Sequence, residues 1–221
     1  MLRITILLFI AITGITISFF YLKPKENHSL KVYNPIDVNP EMVDSMMQRK
    51  GYGHKIGKFS FLNQDGETIT LEDVKGKVFV AEYFFTTCGT ICPKMNKQMQ
   101  RVQTAFKNED ALKILSFTVD PEVDSVKQMK MYADGHGAIS GKWHFLTGDK
   151  DKLYDLARKS FFILKPAEAK NQGDAQSDFI HTNNFVLVDK KLRIRGYYDG
   201  TSQKEVNHLI KDIEILIKEK E

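Results

Sequence analysis

The stretch from Lys77 to Phe85, KVFVAEYFF, is a nearly continuous run of apolar, strand-forming residues. A strand without apolar–polar alternation has no side suited to solvent, so other elements must cover both of its faces. A helical pattern follows, with apolar residues spaced by four, three and four positions: Met95, Met99, Val102 and Phe106. The chain is therefore predicted to contain a buried central strand followed directly by a helix with one buried stripe.

The other periodicities extend this pattern. Alternating segments on either side of Asp65-Gly66 predict a hairpin before the central strand. Strand and helix patterns then alternate, and two strands flanking Lys190-Lys191 precede a final amphipathic helix capped by Ser202. The predicted order is hairpin, β, α, β, α, β, α, β, β, α. Alternating units followed by an antiparallel pair predict an α/β fold, with a mixed central sheet and helices on both faces.

The amino terminus carries a separate feature. Residues Ile4–Leu22 contain no charge, and as a helix they span roughly 28 Å at about 1.5 Å per residue, which is one hydrocarbon core. Bulky residues at the end of this stretch do not resemble a small-residue cleavage site, so residues 1–22 are predicted to be an uncleaved transmembrane helix. Residues 23–54, with three prolines, are predicted to form a stalk, and residues 55–221 the folded domain.

Lysines flank the far end of the apolar stretch, so the positive-inside rule does not settle its orientation. We favour a domain on the extracytoplasmic side, which is the periplasmic face of the inner membrane if the chain is bacterial. The net charge is only +4 and lysines alternate with acidic residues in the C-terminal half. Without a basic-aromatic motif, this charge pattern indicates a solvated surface, and nucleic-acid binding is not expected.

The only two cysteines, Cys88 and Cys92, lie in the segment TTCGTICPKM. Cys88 falls at the carboxyl end of the central strand and Cys92 at the start of the next helix, the edge at which α/β sheets bind ligands. A helix N-terminus there favours the thiolate. The pair is either two inert core thiols, a disulfide switch or a metal site. Gly89 and Pro93 indicate a turn, which argues against inert core residues.

The three spacer residues widen this loop relative to a C-x-x-C pair, so the two sulfurs can bond to each other or face a common ion. Two thiolates and one imidazole form a soft, low-coordinate site suited to copper(I), or to copper(II) if further ligands join. Without a third cysteine, a structural zinc site is not expected. The residues alone do not decide which histidine completes the site; the candidates are His28, His54, His136, His144, His181 and His208.

Four segments in order resemble the Sco/SenC family of copper-binding thioredoxin-like proteins: YFFTTCGTICPKM, FTVDPEVDSV, WHFLTGDKDKLYDLARKSF and FIHTNNFVLVDKKLRIRGYYDGT. The resemblance covers about residues 54–218, and the amino-terminal anchor also fits. The family motif is C-x-x-x-C-P with a distant histidine before a strand that ends in Asp. The matching positions are Cys88, Cys92, Pro93, His181 and Asp189.

The resemblance implies a thioredoxin-like fold in which Cys88, Cys92 and His181 bind copper. It also implies a metallochaperone that delivers copper to the dinuclear centre of cytochrome c oxidase, with the copper-bearing subunit of the oxidase as partner. Such a protein is a carrier rather than an enzyme. One departure is Gly89, where many members have proline; it loosens the loop but keeps the five-residue frame.

Other classes remain as alternatives. A peroxidase is excluded because neither cysteine fits the P-x-x-x-T-x-x-C frame. A thiol-disulfide reductase that keeps the oxidase cysteines reduced, or a copper or redox sensor, stays open. The strand after His181 lacks the preceding proline of thioredoxins, which favours metal binding over substrate docking.

Three further side chains near the pair have expected structural roles. Glu82 lies in the apolar strand, six residues before Cys88, and we expect it at an edge or tilted inward and paired with a lysine. If buried alone, it would have a raised pKa and could accept a thiol proton. Asp120 is expected to open an Asp-Pro turn, and the helical spacing of Met95 and Met99 predicts core packing rather than copper ligation.

Overall fold

The structure is a computed structural model that describes residues 12–14, 16, 18, 29–43, 47, 51–163 and 183–219. The strands are β1 (Ser60–Leu62), β2 (Thr68–Thr70), β3 (Val78–Phe84), β4 (Leu112–Thr118), β5 (Trp143–Leu146), β6 (Asn184–Val188) and β7 (Ile194–Asp199). The helices are α1 (Leu71–Val74), α2 (Cys92–Ala105), α3 (Val126–Gly135), α4 (Lys150–Lys159) and α5 (Gln203–Lys218). Single 3-10 turns lie at Pro35–Asp37 and Pro40–Met42.

The main sheet has the strand order β5-β4-β3-β6-β7. Strands β3, β4 and β5 are parallel, while β6 is antiparallel to both β3 and β7. Strand β3 is central, and all seven of its residues are buried. The predicted mixed sheet with a doubly covered central strand is therefore confirmed.

Successive residues of β3 point into two separate cores, as the pleat requires. Phe79, Ala81 and Tyr83 join the core that also contains residues of the β1–β2 hairpin, α1 and α4. Val80 and Phe84 join the core beneath α2, α3 and α5. A fully buried valine or phenylalanine among them contributes about 1.5–3 kcal/mol through the hydrophobic effect. Helices thus cover one face, and helices with the small hairpin cover the other.

The stripe predicted for the first long helix packs into the second core, and its residues are buried: Met95, Met99, Val102 and Phe106. Both methionines are therefore core residues, as their spacing predicts. The helix begins with Pro93 in its first turn, where the missing N–H costs nothing. Ser202 caps α5 by accepting from the Glu205 backbone N–H, so the predicted cap is confirmed.

The segment before the domain packs against it. The backbone of Tyr33 bridges to Ile194 in β7, and the buried Arg195 guanidinium donates to the carbonyls of Leu30 and Lys31. The predicted anchor, Ile4–Leu22, lies largely outside the described residues. Among those that are described, no helix is long and apolar enough to cross a membrane.

Candidate metal centre

The cysteine pair lies at the carboxyl edge of the parallel strands, as the sequence predicts. After β3 the chain makes a turn closed by a hydrogen bond from the Cys88 N–H to the Phe85 carbonyl, 3.2 Å. Cys92 opens α2, and its backbone N–H donates to Cys88 Sγ at 3.4 Å. Both residues are free thiols and both are buried, with 7% and 2% of their surface exposed. The N-terminus of α2 therefore contacts the first sulfur directly.

The two thiols have opposite electrostatic environments. Burial alone would raise the pKa of Cys88, but hydrogen bonds from Cys92 and Thr90 outweigh it and hold this pKa below its ordinary value. Burial raises the pKa of Cys92 far above its ordinary value, and the hydrogen bond to Cys88 adds to the increase. Cys88 is therefore the thiol that ionises more readily, which is the property that a nucleophile or a metal ligand requires. Cys92 is the thiol that holds its proton more tightly.

A buried carboxylate, Asp124, fixes the loop that leads to Cys88. Its oxygens accept from the Thr86 N–H at 3.2 and 3.3 Å and, through shorter contacts, from the hydroxyls of Thr86 and Thr118. Burial raises the pKa of Asp124 despite these hydrogen bonds. The sequence motifs include the segment FTVDPEVDSV but do not single out this residue. The feature that could have indicated it is a second acid, four positions after Asp120 and beyond the Asp-Pro turn.

Asp120 opens the turn as expected, because its carbonyl accepts from the backbone N–H groups of Val123 and Asp124 at 3.1 and 2.8 Å. Asp189 directly follows the last residue of β6, close to where the resemblance implies, and it lies at the opposite edge of the sheet from the cysteines because β6 runs antiparallel to β3. Its carboxylate contacts Arg193 and Arg195. Asp189 therefore has a structural role in the domain and does not contribute to the cysteine site.

The expected pairing of Glu82 with a lysine is wrong. Glu82 is 0% exposed, and Ser116 donates to its Oε1 at 2.6 Å. Its Oε2 has no hydrogen-bond partner among the residues that the structure describes. The cause is the register: Glu82 pairs with Ser116 in the middle of the sheet, away from any edge. Burial raises the pKa of Glu82 to about 7, and the Ser116 hydrogen bond only partly opposes it.

Four histidines lie within the described residues, and each has its own surroundings. His54 Nε2 lies 2.8 Å from the Ser160 carbonyl oxygen, His136 stacks on Tyr132, and the buried His144 lies beside Asn63. His208 is half exposed near Glu205. Within the described ranges, no three His, Cys, Asp or Glu residues form a group able to hold a metal ion. His28 and His181 lie outside the described residues, so the structure does not place the imidazole that the resemblance implies.

Comparison with known proteins adds to this geometry. The family model described as SCO1/SenC matches residues 47–218. The SCO1 protein homolog of Bacillus subtilis is 36% identical over 163 residues, which cover 72% of this chain and 81% of that relative. The solved structure of BsSco, described as a Sco-family cytochrome c oxidase assembly protein with a disulfide switch, has a TM-score of 0.63 at 32% identity. The matched region covers 76% of this chain and 95% of the BsSco chain.

Copper-bound ScoI of Bradyrhizobium japonicum has a TM-score of 0.58 at 22% identity, with 74% of this chain and 99% of that chain covered. At this identity the likeness concerns the fold alone. Together the structural neighbours confirm the thioredoxin-like α/β fold that the resemblance implies for the domain.

Proposed function

The chain belongs to the SCO1/SenC family, and we propose that it carries copper to cytochrome c oxidase during assembly of that enzyme. Copper is its cargo, held by the thiolates of Cys88 and Cys92 and the imidazole of His181. The observation that carries the proposal is the pair of free thiols at the N-terminus of α2, one with a lowered pKa. Thiolates are the soft ligands that copper(I) prefers.

The difference in pKa between the two thiols suits a carrier. Cys88 ionises first and captures the ion, and Cys92 then exchanges its proton for a sulfur–copper bond. Because a buried thiolate without metal is unfavourable, Cys92 regains a proton when the ion leaves. Loading and release by ligand exchange are therefore both accessible, and the copper-bearing oxidase subunit receives the ion through its own ligands. Oxidation of the pair to a disulfide blocks loading.

Topology supports His181 as the third ligand. Strand β6 begins at Asn184, and because it runs antiparallel to β3 its first residue lies at the edge where Cys88 also lies. His181 precedes Asn184 by three residues, which reach roughly 10 Å in extended chain. A histidine at this position is therefore tethered close to the edge that carries the sulfurs.

We also propose the chain organisation that the sequence predicts. Residues 1–22 anchor the protein in the membrane, and residues 55–221 form the domain on the extracytoplasmic side. Residues 23–54 form the stalk between them, part of which docks on the domain through Tyr33. Support comes from the uncharged stretch Ile4–Leu22. An oxidising compartment also explains a cysteine pair that can cycle.

Titration of the reduced full chain with copper(I) against a competing chelator tests the ligand set. The wild type is expected to bind one ion, and Cys88→Ser or Cys92→Ser to lose competitive binding. His181→Ala is expected to weaken binding at least tenfold. His208→Ala, in a half-exposed histidine of α5, is the matched control and keeps wild-type affinity. Equal affinity of His181→Ala and His208→Ala would remove His181 from the ligand set.

A second function, reduction of a disulfide on the oxidase subunit, is favoured by one observation: the unequal pKa values of the two thiols. In that reaction the Cys88 thiolate attacks a substrate disulfide, and Cys92 resolves the mixed disulfide. Cys92→Ser would then trap the oxidase subunit on Cys88, while His181→Ala would leave the rate unchanged. Absence of a trapped species, together with loss of copper binding in His181→Ala, would decide for the carrier.

A further inference from the structure

We propose that Asp124 is a positioning residue for Cys88 and acts through Thr86. The inference deepens the proposed function, since it concerns the same cysteine pair, but it does not require copper to be the ligand. It starts from the position of Asp124 in the loop between β4 and α3, where its side chain is fully buried. A carboxylate buried in this way must have donors facing it.

The donors come from two different segments. Thr86, two residues before Cys88, supplies its backbone N–H and its hydroxyl. Thr118, the last residue of β4, supplies its hydroxyl. The carboxylate therefore ties the cysteine loop to the end of the neighbouring strand. These hydrogen bonds compensate the carboxylate for its burial.

The tie to Thr86 controls the conformation of the turn. Thr86 is the second residue of the turn Phe85–Cys88, which the Cys88 N–H closes by donating to the Phe85 carbonyl at 3.2 Å. With its N–H and hydroxyl both bound, Thr86 cannot rotate without breaking at least two hydrogen bonds. The direction of the chain into Cys88 is fixed as a result. That direction brings Cys88 Sγ to the Cys92 N–H at 3.4 Å.

This placement favours the reduced pair. A Cys92 N–H that points at a free thiolate stabilises it, whereas a sulfur in a disulfide is a weaker acceptor. In a glutathione buffer, the Cys88–Cys92 disulfide takes two electrons and two protons from two glutathione thiols and yields two cysteine thiols and glutathione disulfide. Stabilising the Cys88 thiolate shifts this equilibrium towards the dithiol, as it does in other oxidoreductases. Loss of the Asp124–Thr86 tie shifts it towards the disulfide.

Thr118 provides a matched control, because its hydroxyl binds the same carboxylate without touching the cysteine loop. Thr86→Val and Thr118→Val each remove one hydroxyl donor to Asp124 and keep the side-chain shape. Each hydroxyl also accepts one further hydrogen bond, Thr118 from the Asp120 N–H at 2.9 Å and Thr86 from Gln128 Nε2 at 3.4 Å. The Thr118→Val control therefore loses the stronger of these two additional bonds. Asp124→Asn replaces one oxygen by an amide N–H₂ group, which faces the donors. The conservative Thr86→Ser keeps the hydroxyl.

The experiment is equilibration of the full chain with glutathione redox buffers, with the disulfide fraction read by mass spectrometry. The equilibrium constant for reduction is expected to fall about tenfold in Thr86→Val and in Asp124→Asn, which is about 30 mV for a two-electron couple. Thr118→Val is expected within twofold of the wild type, and Thr86→Ser close to the wild type. A purely structural role predicts equal shifts in Thr86→Val and Thr118→Val, and that result would overturn the inference.

Two features of the experiment keep its outcome decisive: the comparison of Thr86→Val with Thr86→Ser, and the absence of metal. If Asp124→Asn fails to fold, the comparison of Thr86→Val with Thr86→Ser still decides, since equal constants for these two would also overturn the inference. The redox equilibrium is measured without metal, so it is separate from the carrier proposal. If the wild type binds no copper, the carrier proposal is refuted. If the redox equilibrium of Thr86→Val still differs from that of the wild type as expected, the positioning role of Asp124 is nevertheless upheld.

Discussion

Two buried acids of this domain, Asp189 and Glu82, show how differently one fold treats a carboxylate. Burial would raise the pKa of Asp189, but hydrogen bonds and charge from Arg193 and Arg195 outweigh it and hold the pKa below its ordinary value. Glu82 has a single hydroxyl partner, and burial raises its pKa to about 7. Among the described residues, Asp189 has cationic donors and Glu82 has none, and this difference lowers the pKa of the first acid and raises that of the second.

The two acids also lie in regions with different tasks. At the edge away from the cysteines, Arg195 joins Asp189 to Glu219 and to the backbone of Leu30 and Lys31. It thereby ties the end of α5 and the amino-terminal segment to the sheet. Glu82 points into the core beneath α2, where its charge raises the pKa of Cys92 further. Asp189 is thus fully ion-paired at the edge away from the cysteines, whereas Glu82, on the side of the thiols, has no counter-charge among the described residues.

The largest expected effect is at the paired acid. Arg195→Met removes a guanidinium whose side chain is 1% exposed, and with it the ion pairs to Asp189 and Glu219 and the hydrogen bonds to the amino-terminal segment. Asp189 keeps only Arg193 as its cationic partner among the described residues, so the free energy of unfolding should fall by about 3–5 kcal/mol. Urea denaturation at neutral pH measures it. Arg193→Met, at the more exposed arginine, is the control with a smaller loss. A loss below about 1 kcal/mol for Arg195→Met would contradict the difference drawn between the two acids.

Substitution of the unpaired acid, Glu82, should raise the free energy of unfolding rather than lower it. Because the folded pKa of Glu82 is raised to about 7 from an ordinary 4.5, the folded state binds this proton more tightly than the unfolded state. Stability linked to Glu82 is therefore complete below pH 4.5, falls as the pH rises towards 7, and is level above it. Glu82→Gln removes this dependence and should stabilise the protein by roughly 3 kcal/mol at pH 8.

Denaturation of Glu82→Gln and the wild type at pH 4.5 and at pH 8 measures the difference. The gain should be present at pH 8 and nearly absent at pH 4.5. Glu122→Gln is the matched control, since its side chain is exposed, and it should change neither value. A Glu82→Gln protein that is no more stable than the wild type at pH 8 would show that the carboxylate has compensation that the hydrogen bonds do not reveal.

A smaller effect is expected at the one partner of Glu82. Ser116→Ala removes the hydroxyl that donates to Glu82 and accepts from Trp143 Nε1 at 2.8 Å. The expected loss is about 1–3 kcal/mol. It should be larger at pH 8, where Glu82 is ionised, than at pH 4.5, because a hydrogen bond to a charged acceptor is the stronger one. Denaturation curves at the two pH values check this, and a pH-independent loss would argue that Glu82 stays neutral throughout.

The smallest effect belongs to an exposed ion pair. Lys75 Nζ lies 3.1 Å from Glu72 Oε2, and both side chains are more than half exposed. Lys75→Ala should change the free energy of unfolding by less than about 1 kcal/mol, and added salt should remove most of the change. Denaturation with and without 1 M salt measures it. A loss comparable to that of Arg195→Met would mean that burial is not what separates strong from weak pairs in this domain.

Local patterns predicted most of the fold. The nearly continuous apolar run of β3 predicted a doubly covered strand, and the spacing of Met95 and Met99 predicted the buried face of α2. The short helix α1 was missed because Leu71–Val74 spans only four residues, too few to show a period of 3.6. The docking of Tyr33 on β7 was also missed, since it depends on a long-range bridge that no local pattern contains.

The site was predicted in part, for a physical reason. The positions of Cys88 and Cys92 follow from local sequence, since a strand end and a helix start are adjacent in the chain. The burial of Glu82 and the role of Asp124 depend on how β3 pairs with β4. Ser116 becomes the partner of Glu82 only through the register of the sheet, and Thr86 meets Asp124 only because the end of β3 lies beside the end of β4. A single sequence does not contain that register, so the lysine predicted for Glu82 was wrong and Asp124 passed unnoticed.

The central claim is that folding brings an imidazole from the far end of the chain to two neighbouring sulfurs. X-ray absorption spectroscopy at the copper edge of the full chain loaded with one copper(I) tests it most directly. The account predicts a wild-type spectrum with two sulfur ligands and one imidazole, and an imidazole signal that disappears in His181→Ala but persists in His208→Ala. An imidazole signal that survives in His181→Ala would contradict it.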